Sequence, residues 1–175
     1  QLKDIDILIS DSTNAGVPGY CPGEKVVVNT IKDLLCRQPK PTIISCFSSN
    51  VGRIEAVAKQ ASQNGYTPDL AGTSLKRMTE NTLKTGWASD QTTLSRLLQG
   101  PSRKQKSLLR LSFMTGCQAE PEAALNRLSQ ATPQEKSLRV ILSSRPIPGN
   151  EVPIRALVQR LRLLDIEVID CFRHP

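Results

Sequence analysis

The sequence predicts an α/β fold: a mostly parallel sheet with helices on both faces, three layers deep. Short runs that are apolar on both faces fit strands buried on both sides. Between them lie longer stretches whose apolar residues recur at helical spacing. Strands and helices alternate along the chain, a rhythm that parallel sheets require because each crossover needs a helix.

In order, the predicted strands are DIDILIS (4–10), TIISCF (42–47), DLAG (69–72), LLRLSFM (108–114), LRVILSS (138–144) and IEVIDCF (166–172). The first predicted helix carries Val27, Ile31, Leu34 and Leu35 on one stripe. The second carries Val51, Ile54, Val57, Ala58 and Ala61, with Asn50 as N-cap and Gly65 as C-cap. A third starts with Ser74 as cap, and a short helix is expected over 91–98, followed by a basic loop within 86–106. A further helix is expected to open at Pro121, and the last at Asn150, where Pro153 is tolerated in the first turn.

The length of 175 residues suits one domain with a real core. Apolar residues make up 38% and mean hydropathy is −0.27, values that do not suggest disorder. No apolar run is long enough to span a membrane, and no membrane association is expected. The chain opens on Gln1 without an initiating Met, and a cut or processing site is expected there. Cys21, Cys36, Cys46, Cys117 and Cys171 are odd in number and form no CxxC pair, and His174 is the sole histidine. That set argues against a zinc cluster and for reduced cysteines in a cytoplasmic protein. The net charge of +7 points to a polyanionic partner. Aromatic content of 3% argues against an aromatic base-stacking platform.

The chemistry gathers where predicted strands end. SDSTN (10–14), SSN (48–50), GTS (72–74), TGCQ (115–118) and SSRPIPGN (143–150) follow five strands in turn. Singly, such clusters are ordinary caps and turns. In a parallel sheet, however, all carboxyl ends share one edge, and open α/β folds bind ligands there. Hydroxyls, helix N-terminal amides and glycine backbone suit phosphate. Arg53 and Arg145 each stand within a few residues of paired serines and are the cations expected to reach it. Asp11 is the carboxylate directly after a predicted strand, able to orient a histidine or bind a proton or metal. Glu24, Glu120 and Glu151 sit near helix starts and read as structural. His174 reads as a surface residue.

Four stretches, LISDSTNAGVPGYCPGE (8–24), CFSSNVGRI (46–54), MTGCQAEPEAALNRL (114–128) and ILSSRPIPGNE (141–151), resemble the ribonuclease J family. That family belongs to the β-CASP branch of the metallo-β-lactamase nucleases. The resemblance implies a Rossmann-like β-CASP domain filling 1–175, excised from a larger nuclease, with 1–14 at the junction to the metallo-β-lactamase domain. It implies zinc-dependent phosphodiester hydrolysis in RNA processing and decay, 5′-exonucleolytic or endonucleolytic, with two zinc ions in the full-length enzyme. The family's HxHxDH ligands would lie upstream and an SGH histidine downstream, so no metal is expected in this stretch and the domain alone is expected to be inactive. Asp11 matches the family's first β-CASP acid, beside the metal centre. Ser49 and Asn50 match the loop flanking the RNA cleft, Ser143 and Ser144 the loop holding the 5′-phosphate, and Gly149 and Asn150 its continuation. RNA and the chain's own metallo-β-lactamase domain are the implied partners, with a dimer or tetramer of the whole protein. Gly52, Thr73, Cys117 and Ala119 depart from the family pattern. The alternative reading is a phosphate- or nucleotide-binding α/β module without hydrolysis; a third is a relative acting on DNA.

Overall fold

The computed structural model describes residues 5–10, 16, 18–20, 23–101, 109–131 and 137–170. Its elements are α1 (Glu24–Arg37), β1 (Thr42–Ser45), α2 (Val51–Gln63), β2 (Thr67–Ala71), α3 (Thr73–Lys84), α4 (Gln91–Gln99), β3 (Arg110–Met114), α5 (Ala124–Leu128), β4 (Arg139–Leu142), α6 (Glu151–Leu163) and β5 (Glu167–Ile169). The strands form one sheet in the order β2-β3-β1-β4-β5, and every pairing is parallel. The predicted architecture is therefore the observed one. No described helix is long and apolar enough to cross a membrane.

Two cores cover the two faces. On one, Ile44, Leu111, Phe113 and Ile141 of the sheet pack with Ile31 and Leu35 of α1, Ile54 and Ala58 of α2, Leu75 of α3 and Leu94 and Leu97 of α4. On the other, Ile43, Val140, Leu142 and Val168 meet Leu125 of α5 and Ile154, Leu157 and Leu161 of α6. The pleat explains the split. Ile43 registers with Val140 and Ile44 with Ile141, so neighbours on the same side of the pleat feed the same core. Every residue of β1 and β4 is buried, as strands at the centre of a sheet covered on both faces must be, and this includes the polar Thr42, Ser45 and Arg139.

At the amino edge, a fully buried arginine ties the layers together. Arg139 opens β4 with no exposed surface. It donates to Glu167 of β5 at 3.1 Å, to the carbonyl of Leu34 at 3.1 Å and to the carbonyl and side chain of Gln38 at 3.2 Å. The last two residues belong to the end of α1, where the Leu34 carbonyl also accepts the Gln38 amide at 3.3 Å and the Gln38 carbonyl lies past the last turn. Lys40 joins from the other side at 2.8 Å from Glu167.

The first predicted strand is not part of the sheet. None of 5–10 is assigned as strand, and Ile7, Leu8 and Ile9 are 79%, 65% and 94% exposed. An apolar run records the capacity to be buried, whereas a strand also needs a neighbour to complete its backbone hydrogen bonds. Smaller differences occur at helix starts. Gly72, at φ +130°, is the N-cap of α3, so Ser74 lies inside its first turn. Asn64 closes α2, with Gly65 just beyond it at φ +82°. Pro121 lies in a turn ahead of α5, which begins only at Ala124.

Two carboxylates make the fold acid-sensitive. Arg53 hydrogen bonds hold Glu24 below the usual carboxylate range, against a smaller opposing effect of burial. Burial alone would raise Glu167, but hydrogen bonds from Lys40 and Arg139 outweigh it and the net direction is down. A depressed folded value means that stability is fully present above the ordinary carboxylate value of 4.5 and is lost as pH falls through the lower folded values. Urea denaturation across the acid range is expected to show that loss, with Glu167→Gln flattening the profile; an unchanged profile would contradict the assignment.

Candidate nucleic-acid interface

Because all strands run parallel and β1, β3 and β4 end in register at Ser45, Met114 and Leu142, their following turns emerge at one level. After β1 the chain enters α2 on one face, and after β4 it enters α6 on the other. Adjacent strands whose connections part in this way open a crevice at their carboxyl ends. The N-termini of α2, α3 and α6 lie along the same edge, each presenting the positive end of its dipole.

The turns are stitched to one another. The amide of Ser143 donates to the Ser45 carbonyl at 2.8 Å, and that of Cys46 to the Met114 carbonyl at 3.3 Å. Arg53, in the first turn of α2, reaches across the crevice to the carbonyl of Ser143 and to its hydroxyl at 3.1 Å. Gln118, after β3, is 5% exposed and bonds to the 143–150 loop through both ends of its amide. Beside them lies a cleft of about 360 Å³ lined by Cys46, Phe47, Ser48, Ser49, Ser74, Thr115, Glu120, Glu122 and Ala123.

The predicted residues fare unequally. Ser49 lines the cleft, and Asn50 caps α2 beside it, without a side-chain capping bond. Ser143, Ser144, Gly149 and Asn150 occupy one loop on the same edge, and the Gly149 amide donates to Glu151 at 2.8 Å. Arg145 is exposed on that loop. Arg53 differs from the expectation of a free cation. Its guanidinium faces Glu24 with two of its three nitrogens, Nη2 and Nε, the latter at 2.9 Å from Oε2, and its side chain is only 14% exposed. Packing a cation between two elements calls for a paired charge, and Glu24 at the start of α1 supplies it. Asp11 and His174 lie outside the described residues. So do Cys21 and Cys171, whereas Cys46 and Cys117 are buried free thiols and Cys36 is exposed. Burial, with Cys117 nearby, pushes the Cys46 thiol up to about 12, which makes it an inert packing group.

Ser74 and Gln118 fall within the GTS and TGCQ clusters read from the sequence, Glu120 reads there as structural, and Glu122 has no reading there. The Glu120 carboxylate accepts from the Gln118 backbone amide at 3.1 Å, inside a turn. Among the described residues, no group of three or more His, Cys, Asp or Glu is placed to hold a metal ion. The donors among the described residues therefore do not fit a zinc centre.

Comparison with known proteins gives the family of the chain. The family described as ribonuclease J, beta-CASP domain, matches residues 40–161. The chain belongs to the ribonuclease J β-CASP domain family. It is 32% identical to ribonuclease J2 of Bacillus subtilis (strain 168) over 166 residues, covering 93% of this chain and 30% of that protein. Ribonuclease J of Thermus thermophilus is 30% identical over 167 residues, covering 93% and 29% respectively. Ribonuclease J of Synechocystis sp. is 28% identical over 171 residues, covering 95% and 27%. The chain thus spans about 30% of the length of these curated ribonuclease J relatives.

Positions that the resemblance marks as departures also fall on this edge. A Cβ at Gly52 would meet nothing within 4 Å, so a larger residue there would project freely from the first turn of α2. Thr73 is exposed at the start of α3. Ala119 sits at φ +59°, a conformation that glycine adopts without the steric cost a Cβ brings.

Proposed function

We propose that this chain is the RNA-gripping β-CASP domain of a ribonuclease J-like RNA-processing hydrolase, and that its carboxyl edge holds the phosphorylated 5′ end of the substrate. The observation that carries the reading is the convergence of the turns after β1, β3 and β4 into one hydrogen-bonded rim, within a chain of this family. Ser49 and Asn50 flank the strand path. Ser143, Ser144 and Asn150, with the Arg145 side chain, supply donors for the terminal phosphate, and Gly149 continues the loop that shapes the site. Arg53 acts mainly by holding Ser143 in place, and its charge is shared with Glu24. Asp11 is assigned to the junction with a metallo-β-lactamase domain, which would bring the zinc ligands and the hydrolytic chemistry. The exposed run 5–10 belongs to the same junction. The protein works in the cytoplasm, on RNA.

The competing reading is a nucleotide-binding module without hydrolysis. The net charge of +7 favours a polymer over a single nucleotide. Binding of a 5′-monophosphorylated oligoribonucleotide to the chain is expected to weaken steeply with salt, log K falling linearly with log salt with a slope of about −0.7 per phosphate contacted. A slope near that for one contact, equal for mononucleotide and oligomer, would favour the nucleotide module.

A further inference from the structure

We infer that Gln118 is the positioning residue that sets the anion-binding face of the 143–150 loop; this rests on the assignment of that loop to the RNA 5′ end. The loop reads SSRPIPGN, and its two prolines carry no amide hydrogen. Its remaining backbone donors are few and most are spent internally. The Ser143 amide goes to Ser45 at 2.8 Å, that of Asn150 to Ile147 at 2.9 Å and that of Gly149 to Glu151 at 2.8 Å. The Ile147 amide goes to Gln118 Oε1 at 2.8 Å. The amide hydrogens of Ser144 and Arg145 meet no acceptor among the described residues. Two consecutive unspent amides, followed by the exposed Arg145 side chain, form the kind of backbone concavity that receives a phosphate oxygen.

Gln118 holds those same two residues. Its Nε2 donates to the Arg145 carbonyl at 2.9 Å and to Ser144 Oγ at 3.4 Å. Its Oε1 also accepts from Asn150 Nδ2 at 3.4 Å. A primary amide offers two donor hydrogens and an acceptor with two lone pairs, and all four are used. Glutamate would keep the acceptor side and lose both donors. Leucine would keep neither. Since the Gln118 side chain is buried and bound to the loop's inner side, it acts through Ser144 and Arg145 and does not itself touch the ligand.

The test compares two oligoribonucleotides of one sequence, ending in a 5′-monophosphate or a 5′-hydroxyl, on the 175-residue chain and its Gln118→Glu and Gln118→Leu variants. The parent chain should prefer the phosphorylated end. In both variants the preference should fall by about tenfold, the scale of one charge-assisted hydrogen bond, with affinity for the 5′-hydroxyl oligomer unchanged. A merely structural role would weaken both oligomers alike. Variants that stay folded and keep the parent's preference would overturn the role of Gln118 while leaving the loop's assignment intact. No preference in the parent would overturn that assignment, and the inference with it. A measurement without variants stands beside these. During titration of the isotope-labelled parent with inorganic phosphate, the backbone amides of Ser144 and Arg145 and the Gln118 side-chain amide should shift along one saturation curve. A silent Gln118 amide would contradict the coupling.

Discussion

Replacing Arg139 with alanine is expected to cost about 3 kcal/mol or more, a large share of the 5–15 kcal/mol that holds a typical domain folded. The side chain is wholly buried and serves acceptors on two segments, Glu167 of β5 and Leu34 and Gln38 at the end of α1. Truncation opens a cavity and takes the arginine from the Gln38 carbonyl, worth roughly 1–3 kcal/mol if left unsatisfied, whereas the Leu34 carbonyl keeps the Gln38 amide at 3.3 Å. Glu167 is 39% exposed and can turn to water, so the lost packing and the Gln38 carbonyl dominate. Arg139→Lys keeps the charge but not the planar fork, and a single ammonium does not reach acceptors so spread out. It should recover only part of the loss. Denaturant unfolding of both variants checks this, and a cost under about 1 kcal/mol for alanine would show that the buried network contributes little net stability.

The second large effect is expected at Gly116, in the turn that leaves β3. Its φ of +117° is one that side-chain-bearing residues rarely adopt. A Cβ there would stand 2.9 Å from the Cβ of Leu125, 3.1 Å from that of Ala123 and 3.4 Å from the Leu125 backbone nitrogen. The neighbours are the start of α5 and are themselves buried or hydrogen bonded: the Leu125 amide donates to the Thr115 carbonyl at 3.1 Å. They have little room to retreat. Gly116→Ala should therefore combine a backbone strain of roughly 1–3 kcal/mol with an overpacking cost of similar size. Its consequence is local as well as global. Thr115 and Gln118 flank the glycine, so a displaced turn should lower affinity for 5′-phosphorylated RNA even in protein that remains folded. Thermal unfolding together with RNA binding reads both effects. A variant with the parent's stability and affinity would mean that the turn is not the tight junction described here.

What the sequence made legible follows from which forces are local. The buried stripes of α1 and α2 were readable because Ile31 and Leu35, or Ile54, Val57, Ala58 and Ala61, repeat at the helical period and all lie in one core. β1 and β4 were readable because Ile43 and Ile44, or Val140 to Leu142, fill both faces of a central parallel strand, although Thr42, Ser45 and Arg139 at the strand ends are buried too. The carboxyl edge followed from topology alone, since parallel strands must share it. Contacts between distant segments were not readable. Arg53 and Glu24 are 29 positions apart, and Gln118 meets residues 26 to 32 positions away. Neither pairing leaves a periodic trace, so Arg53 looked like a free cation and Gln118 like an ordinary turn residue. The run 4–10 failed for a related reason: hydrophobicity shows what a segment would bury, and only tertiary structure shows against what.

The most direct test of the central claim is to map where RNA touches the chain. A 5′-monophosphorylated oligoribonucleotide should be titrated into the isotope-labelled protein at low salt, with backbone amide shifts followed residue by residue. Shifts should cluster at 47–50, 72–74, 115–118 and 143–150. A larger cavity of about 820 Å³ at the opposite edge, lined by Lys59, Tyr66, Arg96 and Gly100 among others, is the natural competitor for a polyanion. Perturbations centred there, with the 143–150 loop unmoved, would contradict the account.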